Sequence, residues 1–197
     1  PLRLVGSEMC IRDSLKADSN ITTSITVPVL WDKKTNTIVN NESSEIIRMF
    51  NSSFNELTNN NDDYYPSELK VHIDSLNDKI YSAVNNGVYR TGFAQTQIAY
   101  NEAVEYLFNT LDELDELLGE NKYLTGDIIT EADLRLIPTL LRFDIVYVTH
   151  FKCNIRQIKD YKNLSRYTKE LYEISAIKES LSLIHISEPT RRRGISY

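Results

Sequence analysis

The chain has 197 residues, a formal charge of -6 at pH 7, 41% hydrophobic side chains and 12 tyrosines. That length suits one large domain or two small ones, and the hydrophobic content can build a core, which excludes wholesale disorder. The acidic balance speaks against nucleic acid, no apolar run reaches the roughly 20 residues that cross a bilayer, and no signal peptide is visible. A cytoplasmic protein without nucleic-acid or membrane partners is therefore expected. Cys10 and Cys153 form neither a metal-binding nor a redox spacing.

Both ends differ in character from what lies between them. "LVGSEMCIRDS" (Leu4 to Ser14) and "LSLIHISEPTR" (Leu181 to Arg191) resemble translations of the two complementary strands of one transposon sequencing adapter. Residues 1–15 and 181–197 are accordingly expected to be adapter-derived tails, and Cys10 goes with them.

From Ile25 to Leu30 the residues are strand-like, yet Pro28 sits among them, which argues for an edge, a bulge or a cis turn. "DKKTN" (Asp32 to Asn36) supplies a turn and "TIVN" (Thr37 to Asn40) a second strand, a hairpin pattern. In "NESSEIIRMF", Ser43 or Ser44 is expected to cap a helix that turns Ile46, Ile47 and Phe50 inward. One hairpin and one helix read as the second half of a domain, spanning 16–57. The polar, asparagine-rich stretch closed by Pro66 reads as a linker over 58–67.

Beyond the linker the period becomes helical, giving an all-helical domain over 68–180. Leu69, Ile73, Leu76 and Ile80 share one face, and "NNG" (Asn85 to Gly87) interrupts the helix. A longer helix from about Gln95 carries a stripe of Ala103, Leu107, Leu111, Leu114 and Leu118, with Gly119 as its stop and "DELDE" (Asp112 to Glu116) as a solvated face. Thr130 and Asp133 match a capping box, with Ile129 and Leu134 placed for a hydrophobic staple. Ala132, Leu136, Leu140 and Phe143 follow on the inner face, and Pro138 is expected to kink this helix. A last helix covers roughly Leu164 to Lys178.

Four stretches, "TVPVLWDKKTNTIVNNESSEIIRMFN", "GVYRTGFAQTQIAY", "YLTGDIITEADLRLIPTLLRFDIVYVTHFKCN" and "YKNLSRYTKELYEI", together resemble the glutathionyl-hydroquinone reductases, the Xi-type, omega-like glutathione transferases. The resemblance covers about 16–180. It implies an α/β plus all-α protein of glutathione transferase fold: the incomplete C-terminal half of a thioredoxin-like domain, then a helical bundle. It also implies a homodimer, and glutathione as co-substrate with an aromatic quinol conjugate.

The resemblance further implies that Pro28 follows a cis bond and that Val27 pairs through its backbone with the cysteine of glutathione. Glu42 and Ser43 correspond to the position that holds the γ-glutamyl end. A carboxylate suits the α-ammonium, and a hydroxyl with helix-start N–H groups suits the carboxylate. Tyr89 and Tyr147 fall in motifs placed near the aromatic substrate, where a phenol would stabilise charge on the quinol oxygen. By themselves, tyrosines in such a tyrosine-rich chain read as amphipathic core residues. Trp31 reads as packing. His72 stands alone, without partners for a metal. His150 and Cys153 suggest a base and a nucleophile, but Cys153 lies in the helical domain, where the family nucleophile does not, so a packing or surface role is expected.

One departure matters for activity. The family's nucleophile stands in a Cys-Pro-Trp-Ala motif upstream of the proline strand, and no such motif occurs in this sequence. The chain is thus expected to be a fragment that does not catalyse the reaction of its parent: reduction of S-glutathionyl-hydroquinones through a cysteine–glutathione mixed disulfide. The competing readings are a non-catalytic transferase-like module for protein contact and a transferase that conjugates glutathione to electrophiles.

Overall fold

A computed structural model of the chain describes residues 2–5 and 27–181. Most of both expected tails, together with Cys10 and the start of the first expected strand at Ile25, lies outside the described residues. The chain divides after Asp63 into two compact units, inside the stretch read as a linker.

In the first unit, β1 (Leu2–Val5), β2 (Val29–Asp32) and β3 (Thr37–Asn40) form an antiparallel sheet with β2 in the centre. Leu2 stands opposite Asp32 and Val5 opposite Val29, so β1 belongs to the segment set aside as a tail. On the other side Trp31 faces Ile38 and Leu30 faces Asn40, with a bulge between Leu30 and Trp31. Central strands bury both faces, and Val29, Leu30 and Trp31 are all buried. Pro28 lies just outside the ladder rather than within it. Having no N–H to give, it precedes the first residue of β2, and its carbonyl accepts from Asn41 Nδ2 at 2.8 Å.

The hairpin turn is fixed by Asp32, whose carboxylate accepts from the Lys34 N–H and the Thr35 hydroxyl, both at 2.8 Å. Those bonds hold its pKa below the usual carboxylate range. Asn36 takes the left-handed conformation (φ 55°) that closes the turn. Helix α1 (Ser43–Ser52) follows, then α2 (Asn55–Thr58). Only Ile46 of α1 is buried; Ile47 and Phe50 are exposed, and Phe50 instead meets the Phe54 ring at 5.3 Å. The inward face expected for all three is therefore corrected to Ile46 alone. A short amphipathic helix beside a three-stranded sheet has room to bury little more.

The second unit is helical: α3 (Lys70–Ile80), α4 (Gly87–Gly92), α5 (Gln97–Glu120), α6 (Glu131–Arg142), the one-turn α7 (Val148–His150), α8 (Lys162–Tyr172) and α9 (Ser175–Ser180). Two π turns, Tyr81–Asn85 and Phe143–Tyr147, extend α3 and α6. All five residues of the expected α5 stripe are buried, and so are Ala132, Leu136, Leu140 and Phe143. Each fully buried leucine contributes about 2 kcal/mol of transfer free energy, and the leucines of the α5 stripe join buried residues of α3, α4, α6 and α8 in one core. Helix α6 continues past Pro138, which is exposed.

The capping box of α6 is present and belongs to a larger buried knot. Asp133 accepts from Thr130 N–H (2.8 Å), Thr130 Oγ1 (3.2 Å), Leu124 N–H (3.0 Å) and Tyr167 Oη (2.7 Å). Burial pushes the Asp133 carboxyl up, against the pull of these four donors. The next free N–H of the helix, that of Glu131, donates to the Tyr64 carbonyl at 2.7 Å, which ties the start of the unit to α6.

Three expectations need correction. Gly119 does not stop α5, which runs on to Glu120; a β-carbon there would come 3.0 Å from Asn163 Nδ2, so the glycine admits a neighbour rather than ending a helix. "DELDE" is not merely a solvated face. Asp115 accepts from the Asn163 and Leu164 N–H groups at 2.8 and 2.7 Å and so caps α8 from another helix, while Asp112 pairs with Arg156 at 2.7 Å. The last helix breaks at Glu173–Ile174 into α8 and α9.

Candidate functional site

Two groups of candidate residues stand in separate units. In the first, the Val27–Pro28 peptide bond is cis, and Val27 is 54% exposed just ahead of β2. The N-cap of α1 is Glu42 rather than either serine. Its Oε1 accepts from Ser44 N–H at 3.2 Å, Ser44 Oγ at 3.1 Å and Ser43 Oγ at 3.5 Å. A carboxylate competes well with serine for this place because it also meets the positive end of the helix dipole. The Glu42 N–H in turn donates to Asn40 Oδ1 at 2.7 Å, which joins β3 to the helix start. The arrangement gathers a carboxylate, two hydroxyls and the first N–H groups of a helix on the residues that follow β3.

In the second unit, Tyr89 on α4 and Tyr147 at the end of the second π turn come together. Their hydroxyls are 3.3 Å apart, and their rings meet edge-on at 5.8 Å. Tyr147 is 5% exposed and Tyr89 43%, so one phenol is sunk in the core and the other faces outward. Desolvation, and then the bond to Tyr89, push the Tyr147 phenol well above its ordinary pKa, which keeps it protonated at neutral pH. Two hydroxyls that share one hydrogen bond keep one further O–H to donate, and the outward ring is the one able to aim it at a ligand.

Sequence reasoning missed the rest of this surface. Phe151 stands edge-on to both tyrosines at 5.3 Å, and Phe93 lies nearly parallel to Tyr89 at 6.4 Å and edge-on to Phe151 at 5.5 Å. A β-carbon on Gly92 would fall 2.3 Å from Phe151 Cδ1, so the glycine is what lets that ring close. Asn85, last residue of the first π turn, accepts from Thr139 Oγ1 at 2.9 Å and donates to the Arg135 carbonyl at 3.1 Å, joining the two tyrosine-bearing segments. The sequence signal for Phe93 was present: an aromatic four residues after Tyr89 shares its helix face.

Cys153 packs rather than reacts. It is fully buried, its Sγ faces the Val88 and Phe151 carbonyls at 3.8 and 3.6 Å, and burial pushes its thiol up to about 12. His150 is exposed and ends α7, while Lys152 takes a left-handed φ of 58°, so His150 and Cys153 do not share a helix. Trp31 is buried in β2, and His72 is exposed on α3. Among the described residues no group of three or more His, Cys, Asp or Glu could hold a metal, and no helix is long and apolar enough to cross a membrane.

Comparison with known proteins agrees with this architecture. The family "Glutathione S-transferase, C-terminal domain" matches residues 97–170. Glutathionyl-hydroquinone reductase YqjG of Escherichia coli is 53% identical over 93% of this chain and 56% of its own length. Glutathionyl-hydroquinone reductase PcpF of Sphingobium chlorophenolicum is 48% identical over 94% of this chain and 59% of its own. The chain therefore spans somewhat more than half the length of these relatives. Among solved structures, glutathione-bound YqjG superposes with a TM-score of 0.88 at 51% identity, covering 90% of this chain and 58% of that one. Glutathione transferase Xi 1 of Trametes versicolor gives 0.86 at 47%, covering 90% of this chain and 62% of that one. A small thioredoxin-like sheet region followed by a large helical unit is the fold they share. By sequence and by fold, the chain is similar to the Xi-type, omega-like glutathione transferases over somewhat more than half of their length.

Proposed function

We propose that the chain supplies the glutathione grip and the aromatic wall of an enzyme that uses glutathione to reduce S-glutathionyl-hydroquinones to hydroquinones. The two relatives that carry that name support the reading. The observation that carries it is the pair of phenols, Tyr89 and Tyr147, 3.3 Å apart in an apolar aromatic setting.

In this reading a cysteine thiolate attacks the glutathionyl sulfur. The carbon–sulfur bond to the ring breaks, the ring carbon takes a proton, and a cysteine–glutathione disulfide remains. A second glutathione thiolate attacks that disulfide, which frees the cysteine thiolate and leaves glutathione disulfide. The backbone of Val27, bent by Pro28, pairs with the cysteinyl part of glutathione, while Glu42 and Ser43 receive its γ-glutamyl end. Tyr147 donates to Tyr89, whose own hydroxyl then donates to the quinol oxygen as charge develops there. The attacking thiolate belongs to a Cys-Pro-Trp-Ala motif that these 197 residues do not contain, and buried Cys153 does not replace it.

Calorimetric titration of the purified chain with glutathione and with an S-glutathionyl-hydroquinone tests this. Both ligands bind, without turnover above background. Tyr89→Phe weakens the conjugate alone, by about 2- to 10-fold for one lost hydrogen bond. A chain that binds neither ligand, or a Tyr89→Phe loss equal for both, sinks the proposal. Turnover well above background would refute the external thiol.

A further inference from the structure

The aromatic wall does not end at the tyrosines. Phe93 is 67% exposed, an unusual position for a ring already engaged with Tyr89 and Phe151. Its chain neighbour Ala94 and the next three residues, Gln95, Thr96 and Gln97, line an open cavity of about 310 Å³ completed by Tyr100 and Lys152. Lys152 directly follows Phe151, so the cavity borders the wall on both of its chain segments. The Tyr100 hydroxyl donates to the Lys152 carbonyl at 2.8 Å, which pins the left-handed Lys152 backbone at the cavity edge. The ammonium of Lys152 has no carboxylate partner among the described residues, although 28 acidic residues are spread along the chain.

An apolar wall bordered by a polar hollow with one lysine fits a ligand with an aromatic ring and an anionic arm. Resting on the function proposed above, we infer that the site favours quinols bearing a carboxylate: the ring lies against Phe93 and Phe151, and the carboxylate enters the cavity to meet Lys152, with Gln95 and Gln97 as amide donors. This makes Phe93 a ring-binding residue and Lys152 a determinant of specificity, neither of which takes part in bond breaking. The selectivity is modest, because an exposed ion pair changes affinity only severalfold and is screened by salt.

The test is titration of the full chain with three probes, hydroquinone, 2,5-dihydroxybenzoate and acetate, followed by amide and side-chain NMR shifts at low and high salt. The dihydroxybenzoate is expected to bind about three- to fivefold tighter than hydroquinone at low salt. Lys152→Gln brings the two affinities together, high salt does the same, and Phe93→Ala weakens both. Equal affinities in the parent chain, or a preference that survives Lys152→Gln, overturn the inference while leaving the aromatic site intact. Acetate that matches the dihydroxybenzoate marks a mere anion site and overturns it too. Failure of hydroquinone itself to perturb Tyr89 and Tyr147 would instead strike the underlying functional reading.

Discussion

Replacing Asp133 with alanine isolates the buried knot that starts α6. The carboxylate is fully buried and takes four hydrogen bonds, two from backbone N–H groups, one from Thr130 Oγ1 and one from Tyr167 Oη. Alanine leaves Leu124 N–H, Thr130 N–H and Tyr167 Oη without that acceptor in a dry interior. Each orphaned donor costs about 1–3 kcal/mol. The three share one site and relax together, so the sum falls short of strict addition and about 3–5 kcal/mol is expected. With a urea slope near 2 kcal/mol per M, the midpoint of the helical unit's transition, followed by far-UV circular dichroism, drops by about 1.5–2.5 M. Asp133→Asn, which keeps one acceptor oxygen, falls between alanine and the parent chain. A shift below about 0.3 M for alanine would mean that water or backbone movement satisfies these donors, and would refute the energetic reasoning.

Two further outcomes follow from the same packing. Gly92→Ala puts a β-carbon 2.3 Å from Phe151 Cδ1, so the ring must move; about 1–3 kcal/mol of stability is lost, visible as a lower thermal midpoint and altered Tyr89 and Tyr147 ring resonances, whereas unchanged resonances would contradict the fit. Cys153, held near a pKa of about 12, is expected to resist iodoacetamide at pH 8 in the native state, with peptide mapping used to separate it from Cys10. Because folding raises this thiol's pKa, its contribution to stability is complete below the unfolded value near 9 and declines as pH rises from there toward 12. Cys153→Ser therefore flattens the stability profile in that alkaline window, and rapid native labelling at pH 8 would contradict the burial.

Much of the helical unit was legible because periodicity is a local signal with a core-wide meaning. The stripes of α5 and α6 and the Thr130–Asp133 box could be read directly. Features set by distant partners could not. Asp115 looks like any surface aspartate until the N-terminus of α8 arrives beside it, and Gly119 looks like a helix stop until Asn163 is placed against it. Glu42 took the capping place that serine statistics favoured. At the candidate site, the choice of Tyr89 and Tyr147 among 12 tyrosines came from the family resemblance, since nothing in composition separates them. The adjoining Phe93–Phe151 wall emerged only once α4 and the segment after α7 were brought together in space.

The two π turns carry a consequence for length variation in this chain. A π turn accommodates one residue more than an α turn, and every added residue advances a helix by about 100°. Tyr89 follows the turn at Tyr81–Asn85, and Tyr147 closes the one at Phe143–Tyr147. Deleting a single residue from either turn would leave a more regular helix and yet swing its phenol off the shared face. The spacing between Ile80 and Tyr89, and between Pro138 and Tyr147, is thus as much a part of the site as the tyrosines themselves, and single-residue deletions within the two turns should silence it while leaving helix content intact by circular dichroism.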